Sequence, residues 1–333
     1  MGNERTLNGK NIKKFIINNN FVVAFIVLLV VSALLSPSFL SVSNFTNLVK
    51  QQAAALLVAF GMLFTLTTGG IDLAVGANAC LSGIALGTAI VKWGWDGIGG
   101  LIGALLLAIL VSCLIGAISG VVIYCMNLPP FIVTLAMQFS LRGLANMISN
   151  GQPIRALTET QSYDMLVAFS APSAKVLGIP VPFLFVLVIA IILGFVLRKT
   201  SYGRMILATG SNEETVRLAG VNVLKYQISV YVISGLMCGI AGIMLSSRSN
   251  VFSPTAGTDY EMNALAGAVI GGASMTGGSG SVFGTIFGVF ILAMLENVMN
   301  LMALPPYPQQ VIKGVIIILA VFMQVVTSKT KKE

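Results

Sequence analysis

The chain has 333 residues, of which 19 are Lys or Arg and 11 are Asp or Glu, a charged fraction of 9% where a soluble domain carries roughly 25%. With 56% apolar residues there is too little charge to cover a water-facing surface and too much hydrophobicity for disorder. The absence of His removes His-ligated metals, His-ligated haem and His acid–base catalysis, and the net charge of +8 bunches at the edges of apolar runs instead of forming a nucleic-acid patch.

Charge-free stretches follow one another along the chain. They separate Lys14 from Lys50 (35 residues), Lys50 from Asp72 (21), Asp72 from Lys92 (19) and Asp96 from Arg142 (45). Further on they separate Lys175 from Arg198 (22), Lys225 from Arg248 (22) and Glu261 from Glu296 (34). A helix crosses the hydrocarbon with about 20 apolar residues. The pattern predicts an all-α polytopic membrane bundle, a single domain over 1–333, with about ten transmembrane helices. They are placed near 16–36, 51–68, 77–92, 98–125, 131–148, 181–197, 226–246, 263–276, 282–299 and 309–326.

The basic N-terminus followed by the run Phe15 to Leu35 reads as an uncleaved first helix, because the run is long and lacks a clear cleavage site. The second and third spans flank a break, Gly69-Gly70-Ile71-Asp72-Leu73-Ala74-Val75-Gly76. The eighth and ninth flank another, Gly277-Gly278-Ser279-Gly280-Ser281. Irregular backbone at such breaks is tolerated at a surface, or inside the bundle where protein or a water-filled cavity satisfies it. Their common pattern hints at an internal repeat. Five G-x-x-x-G pairs, Gly83/Gly87, Gly99/Gly103, Gly116/Gly120, Gly235/Gly239 and Gly284/Gly288, predict close helix crossings. Cys80, Cys113, Cys125 and Cys238 lie in apolar runs and read as small buried hydrophobes.

Positive charge sets the orientation. With both termini cytoplasmic, twelve basic residues lie inside: Arg5, Lys10, Lys13, Lys14, Arg198, Lys199, Arg204, Arg217, Lys225, Lys329, Lys331 and Lys332. Five lie outside: Lys50, Lys92, Arg155, Lys175 and Arg248. The expected location is the bacterial cytoplasmic (inner) membrane. An external loop at 149–180 carries Pro153, Pro172 and Pro180 and predicts a short surface helix near 158–168. The internal loop at 198–225 is the most charged segment.

Within that loop, Gly210 to Val221 predicts a short amphipathic helix. Asn212 caps it, Glu213 and Glu214 suit its first turn, and Gly220 stops it. Val216 with Leu218 or Ala219 leaves apolar side chains facing the cytoplasm, which points to a soluble docking partner or to a connector resting on the membrane. Asp72 reads either as a membrane-embedded site or as the cap of the third span at the cytoplasmic surface, taking the N–H of Val75 or Gly76. Glu296, Arg142 and Lys313 fall near the outer ends of their spans, where a Glu296 pair with Lys313 or Arg142 neutralises charge.

The segment from Gly210 to Val221 resembles the coupling helix of sugar-importing ABC-transporter permeases. The similarity extends to Gly70–Gly76, to Phe131-Ile132-Val133-Thr134-Leu135 with Leu141-Arg142-Gly143, and to Asn150-Gly151-Gln152-Pro153. It continues through Pro254–Glu261 and through Gly271-Gly272-Ala273-Ser274 with Gly277–Gly280, so it spans about residues 20 to 325. The nearest pattern is the ribose-type permease of the branched-chain-permease superfamily. The resemblance implies a homodimer in the bilayer, ABC ATPase subunits docked on the cytoplasmic face, and an extracytoplasmic sugar-binding protein. It implies ATPase coupling through Gly210, Asn212, Glu213, Glu214, Arg217, Leu218, Gly220 and Val221. Thr215 and Glu296 depart from the pattern, which often has Ala and Asn there.

The chain has no G-x-x-x-x-G-K-[ST] phosphate loop, so ATP and Mg belong to the partner ATPase, and no cofactor, metal or catalytic residue is expected here. A neutral sugar needs weak hydrogen-bonding groups along its path. Asn78, Thr134, Gln138, Asn146, Asn297 and Asn300 are available, and Gly70, Asp72 and Gly76 sit at the break. The candidate path is therefore Gly70, Asp72, Gly76, Asn78, Thr134, Gln138 and Asn297. The expected function is the permease subunit of an ABC importer for a monosaccharide, ribose first. Rivals are a related importer for branched-chain amino acids or nucleosides, and an ion-coupled secondary transporter, which the scarcity of mid-membrane carboxylates disfavours. A membrane enzyme lacks a catalytic constellation.

Overall fold

The computed structural model describes residues 20–156 and 160–330. The basic N-terminal residues Arg5, Lys10, Lys13 and Lys14, and Lys331 and Lys332, lie outside the described residues.

In chain order the helices are α1 (Asn20–Leu35), α2 (Val42–Thr67), α3 (Val75–Gly87), α4 (Gly97–Cys125), α5 (Pro130–Ser149), α6 (Gln161–Phe169) and α7 (Val181–Lys199). Then come α8 (Ser201–Ser211), α9 (Glu213–Leu218), α10 (Val223–Ser249), α11 (Tyr260–Ile270), α12 (Val282–Leu301) and α13 (Pro306–Thr330). A π-helical stretch, Thr88–Lys92, extends α3. A two-stranded hairpin, β1 (Lys175–Val176) with β2 (Ile179–Pro180), turns at Leu177 and Gly178, whose φ of 52° and 81° suit a tight hairpin turn.

Seven of these are long and apolar enough to cross a membrane: α2, α3 with its extension, α4, α5, α7, α10 and α12. The predicted span 51–68 begins earlier than expected. Ser41 caps α2 by accepting from Asn44 N at 3.2 Å, so the helix runs through Lys50 instead of starting after it. The predicted span 263–276 is corrected. Its helix, α11, has 11 residues and a length of about 16 Å, too short to cross, and it ends at Gly271 and Gly272. The internal loop 198–225 carries two helices, α8 and α9, the second of them the short helix expected within Gly210 to Val221. The surface helix expected near 158–168 is α6; positions 158 and 159 lie outside the described residues. The Ser162 N–H donates to Asp96 Oδ1 at 2.9 Å, which ties α6 to the start of α4 and holds that carboxyl below its ordinary range.

Burial sorts the helices into centre and periphery. The central stretches of α2 and α3 are 78% and 83% buried, against 28%, 22% and 28% for α4, α5 and α7. The outer face of α4 is a stripe of Ile98, Ile102, Leu106, Leu110, Leu114 and Ile118, all more than half exposed. Helical spacing of large aliphatic residues on an outer face, with no charge, is a surface made for lipid. The protein is a multi-pass membrane protein.

Small residues set the crossings. A Cβ on Gly116 would lie 2.2 Å from Tyr231 O, and one on Gly235 would lie 2.4 Å from Ser112 O, so α4 and α10 meet backbone to backbone. Between α11 and α12, a Cβ on Gly284 would lie 1.9 Å from Gly271 O and one on Gly288 would lie 1.9 Å from Gly267 O. Gly83 and Gly87 likewise receive Gly242 and Phe252, whereas Gly99 faces open space and is no crossing. We define the basic end of the bundle as the one where α7 finishes in Arg198 and Lys199 and α10 begins near Lys225. The opposite end holds Lys175 and Arg248.

Gly288→Val is expected to destabilise the bundle by about 1–3 kcal/mol or more through overpacking at the α11–α12 crossing. Gly143→Ala, where nothing lies within 4 Å of an added Cβ, leaves stability unchanged or slightly raised. Thermal unfolding of the two variants in detergent micelles distinguishes them.

Candidate functional site

The two glycine breaks come together at the basic end. Gly69 leaves α2 with φ of 80°, and Gly277 and Gly278 adopt φ of 87° and 79° in the turn between α11 and α12. Gly278 N–H donates to Thr67 O at 3.0 Å. Gly210, near the end of α8, fits into the same place. A Cβ there would lie 1.9 Å from Thr67 O and 2.6 Å from Gly278 N, and one on Gly277 would lie 2.7 Å from Gly210 O. The end of α2, the turn before α12 and the end of α8 thus form one backbone junction without side chains between them.

The short helix α9 starts two residues beyond that junction. Asn212 Oδ1 accepts from Thr215 N at 3.0 Å, which is the cap expected from the sequence. Gly220 ends the helix with φ of 78°, and Val221 N returns to Val216 O at 3.4 Å. Glu213 is held by Gln227 Nε2 at 2.9 Å, which ties α9 to α10. Glu214 and Arg217 pair at 3.0 Å, but both are well exposed, so the pair adds at most about 1 kcal/mol. Val216 is buried and anchors the helix, while Leu218 is 80% exposed. The expected coupling residues Asn212 to Val221 therefore lie on or beside one short element, with Leu218, Glu214 and Arg217 facing outward, while Gly210 lies on α8.

Of the expected path residues, Gly70, Asp72, Gly76, Asn78, Thr134 and Gln138 gather around the first break, and hydrogen bonds occupy the side chains of Asp72, Asn78, Thr134 and Gln138. Gly70 abuts two tyrosines: an added Cβ would lie 2.5 Å from Tyr231 Oη and 3.3 Å from Tyr124 Oη. Asp72 does not cap α3 through Val75 or Gly76 at a surface. It is buried, with Oδ1 accepting from Ala74 N at 3.0 Å and Oδ2 accepting from Ser234 Oγ at 2.7 Å. The small Ser234 packs against Gly61, which lets α10 come close enough to supply that donor. Asn78 Nδ2 donates to Ser112 O at 3.2 Å, and Ser112 Oγ lies 2.8 Å from Asn78 Oδ1. Thr134 Oγ1 donates to Pro130 O at 2.9 Å and lies 3.1 Å from Ile71 O.

One turn on, Gln138 Nε2 donates to Glu261 Oε1 at 2.8 Å. Gly76 sits under Gly257, where a Cβ would lie 2.4 Å from Gly257 O. Asn297 lies apart from this group and pairs reciprocally with Asn44, both bonds 2.9 Å. Arg142 does not meet Glu296. It donates to Pro254 O at 3.1 Å and Ala256 O at 2.7 Å, holding the loop before α11. Lys313 takes Glu296, the first of the two pairings expected. Glu261, Ser234, Tyr124 and Tyr231 were not among the expected site residues. Their signal in the sequence is weak, because an isolated Ser or Tyr in an apolar helix is ordinary until its neighbours are known. Among the described residues no three Asp, Glu or Cys side chains come together to hold a metal.

The arrangement is a buried polar seam through broken helices, tied by a glycine junction to an exposed short helix. Residues 44–321 match the family described as the permease component of branched-chain amino acid transport systems. The chain belongs to this permease family. It is similar to the ribose import permease of Bacillus subtilis (strain 168), 39% identical over 303 residues, covering 91% of each chain. Its similarity to the ribose import permease of Escherichia coli (strain K12) is 35% over 311 residues, 93% of this chain and 94% of that one. The L-arabinose transport system permease of the same organism is 36% identical over 313 residues, 93% and 91% of the two chains. No solved structure matches significantly. The family expected from the motifs is thus the one found.

Asn212→Ala removes the α9 cap and is expected to destabilise that helix by about 1 kcal/mol. Hydrogen exchange followed by mass spectrometry reads this as faster exchange over 213–218 with α2 and α10 unchanged.

Proposed function

We propose that this chain is the membrane-spanning subunit of an ATP-driven importer for a monosaccharide, with ribose the first candidate. The single observation that carries the substrate class is the near full-length similarity to permeases named for ribose, allose and arabinose import. In this reading two copies of the chain form the path and the basic end faces the cytoplasm of a bacterial inner membrane. Both termini lie on that side. ATP is hydrolysed on separate ATPase subunits, and a sugar-binding protein delivers substrate at the opposite end.

The geometry supports a specific route for the coupling. Leu218, Glu214 and Arg217 present an outward surface on α9 to the ATPase. Movement of α9 passes through Gly210 to Thr67 and Gly278, because backbone in van der Waals contact cannot yield without displacing its neighbour. Both broken helices then shift together and open the path to one side. A second reading, import of a branched-chain amino acid, is favoured by the description of the matching family.

Leu218→Asp is expected to abolish co-purification of the ATPase subunit from mild detergent while membrane insertion stays normal. In proteoliposomes the assembled wild-type importer takes up labelled ribose only with ATP inside the ATPase compartment. Uptake of leucine and not of any sugar would replace the first reading by the second. Uptake without ATP would overturn both.

A further inference from the structure

A half-open cavity of about 140 Å3 lies toward the opposite end of the bundle, between α2, α10, α11 and α12, away from the polar seam at the first break. Its polar lining is Gln51, Gln52, Arg248, Tyr260, Asn263 and Glu296. We propose that this cavity is a binding station for a neutral, polyhydroxylated monosaccharide crossing the bundle. The proposal rests on the sugar-import reading above and adds the site within this chain.

Placement is the first argument. Gln51 and Gln52 follow Lys50 in the third turn of α2, and Asn263 lies in the first turn of α11 after Glu261, so the cavity opens at the end of the bundle opposite α9, where a molecule arriving from that side first meets the chain.

Hydrogen bonding is the second. The amides that cross-link helices are engaged, Asn44 with Asn297, Asn78 with Ser112, and Gln138 with Glu261. The side-chain amides of Gln51, Gln52 and Asn263 make no hydrogen bond to other described residues. Each amide both donates and accepts, and so does a sugar hydroxyl. Three unengaged amides around one small cavity are a complement to a ring of hydroxyls.

Donor chemistry and size narrow the ligand. Glu296 is paired with Lys313, and Arg248, which donates to Gln51 O at 3.3 Å, keeps further guanidinium N–H groups that can donate to a hydroxyl. Tyr260 contributes an aromatic ring, and Ala55 and Ala264 a small apolar wall, which suit the C–H face of a sugar. The volume is well below the 300 Å3 or more of a drug-sized pocket, so it takes one ring and not a chain of them.

The connection to the coupling device is direct. One end of α11 is Tyr260, in the cavity wall; the other is Ile270, which leads into the turn that reaches Thr67 and Gly210. A rigid half-helix thus joins the sugar station to the junction below α9.

The test uses the assembled importer in proteoliposomes with its ATPase and binding protein, supplied with labelled D-ribose, L-arabinose and D-allose. If the wild type carries none of the three, the substrate reading fails, and this proposal falls with it. If it carries one, Gln52→Ala and Asn263→Ala are each expected to lower uptake of that sugar per assembled complex about five- to tenfold, the loss of one or two hydrogen bonds. Asn263→Cys supplies a second readout. Modification of that thiol by a small methanethiosulfonate, counted at position 263 by peptide mass spectrometry, is expected to slow at least threefold in the presence of the carried sugar and not with L-leucine. Undiminished uptake by both alanine variants, or a labelling rate indifferent to the sugar, overturns the proposal while leaving the import reading standing.

Discussion

Direct backbone contact at the basic end is the constraint on which the rest of this protein depends. Thr67, Gly210 and Gly278 meet with no room for a Cβ at the two glycines. That contact exists because two helical paths are interrupted there and because α8 carries Gly210 in its last turn at the same place. It fixes where α9 stands relative to α2, α11 and α12. A side chain at Gly210 would separate the short exposed helix from the broken helices and remove the mechanical continuity between them.

Interrupting helices inside a bilayer is costly, since each freed N–H and C=O needs a partner. The protein meets this requirement locally. Gly278 N–H takes Thr67 O, and Ala74 N–H takes the Asp72 carboxylate. Ser234 adds a further donor to Asp72, and Arg142 collects the carbonyls of Pro254 and Ala256 ahead of α11. Asp72 is thereby a structural partner of the break in this conformation.

A division of labour follows from the placement of polar groups. Asn78 and Gln138 hold helices together near the first break. Gln51, Gln52 and Asn263 line the cavity beside Tyr260, and α11 spans the distance between that cavity and the junction. Binding at one end of a short rigid helix and force at the other is a simple way for a carried molecule and an ATPase to act on the same element.

The class of protein was legible in the sequence alone. Charge-free runs of membrane length, a biased distribution of Lys and Arg, and glycine at one-turn spacing are local or summed properties, and they predict a helical membrane bundle with close crossings. The α9 helix was legible for the same reason, since Asn212, Glu213, Glu214 and Gly220 are cap and turn signals that act within a few residues. The length of α11 was not, because the apolar run continues through Ala273 and only the packing of Gly271 against Gly284 shows where the helix stops. Nor was the setting of Asp72, whose donor Ser234 is 162 residues away. The cavity was equally hidden, because Gln51, Gln52 and Asn263 look alike in sequence to the paired amides Asn78, Gln138 and Asn297. Hydropathy is summed along the chain and survives without a structure; whether a given amide is spent on a neighbour or left free is settled only when distant helices are brought side by side.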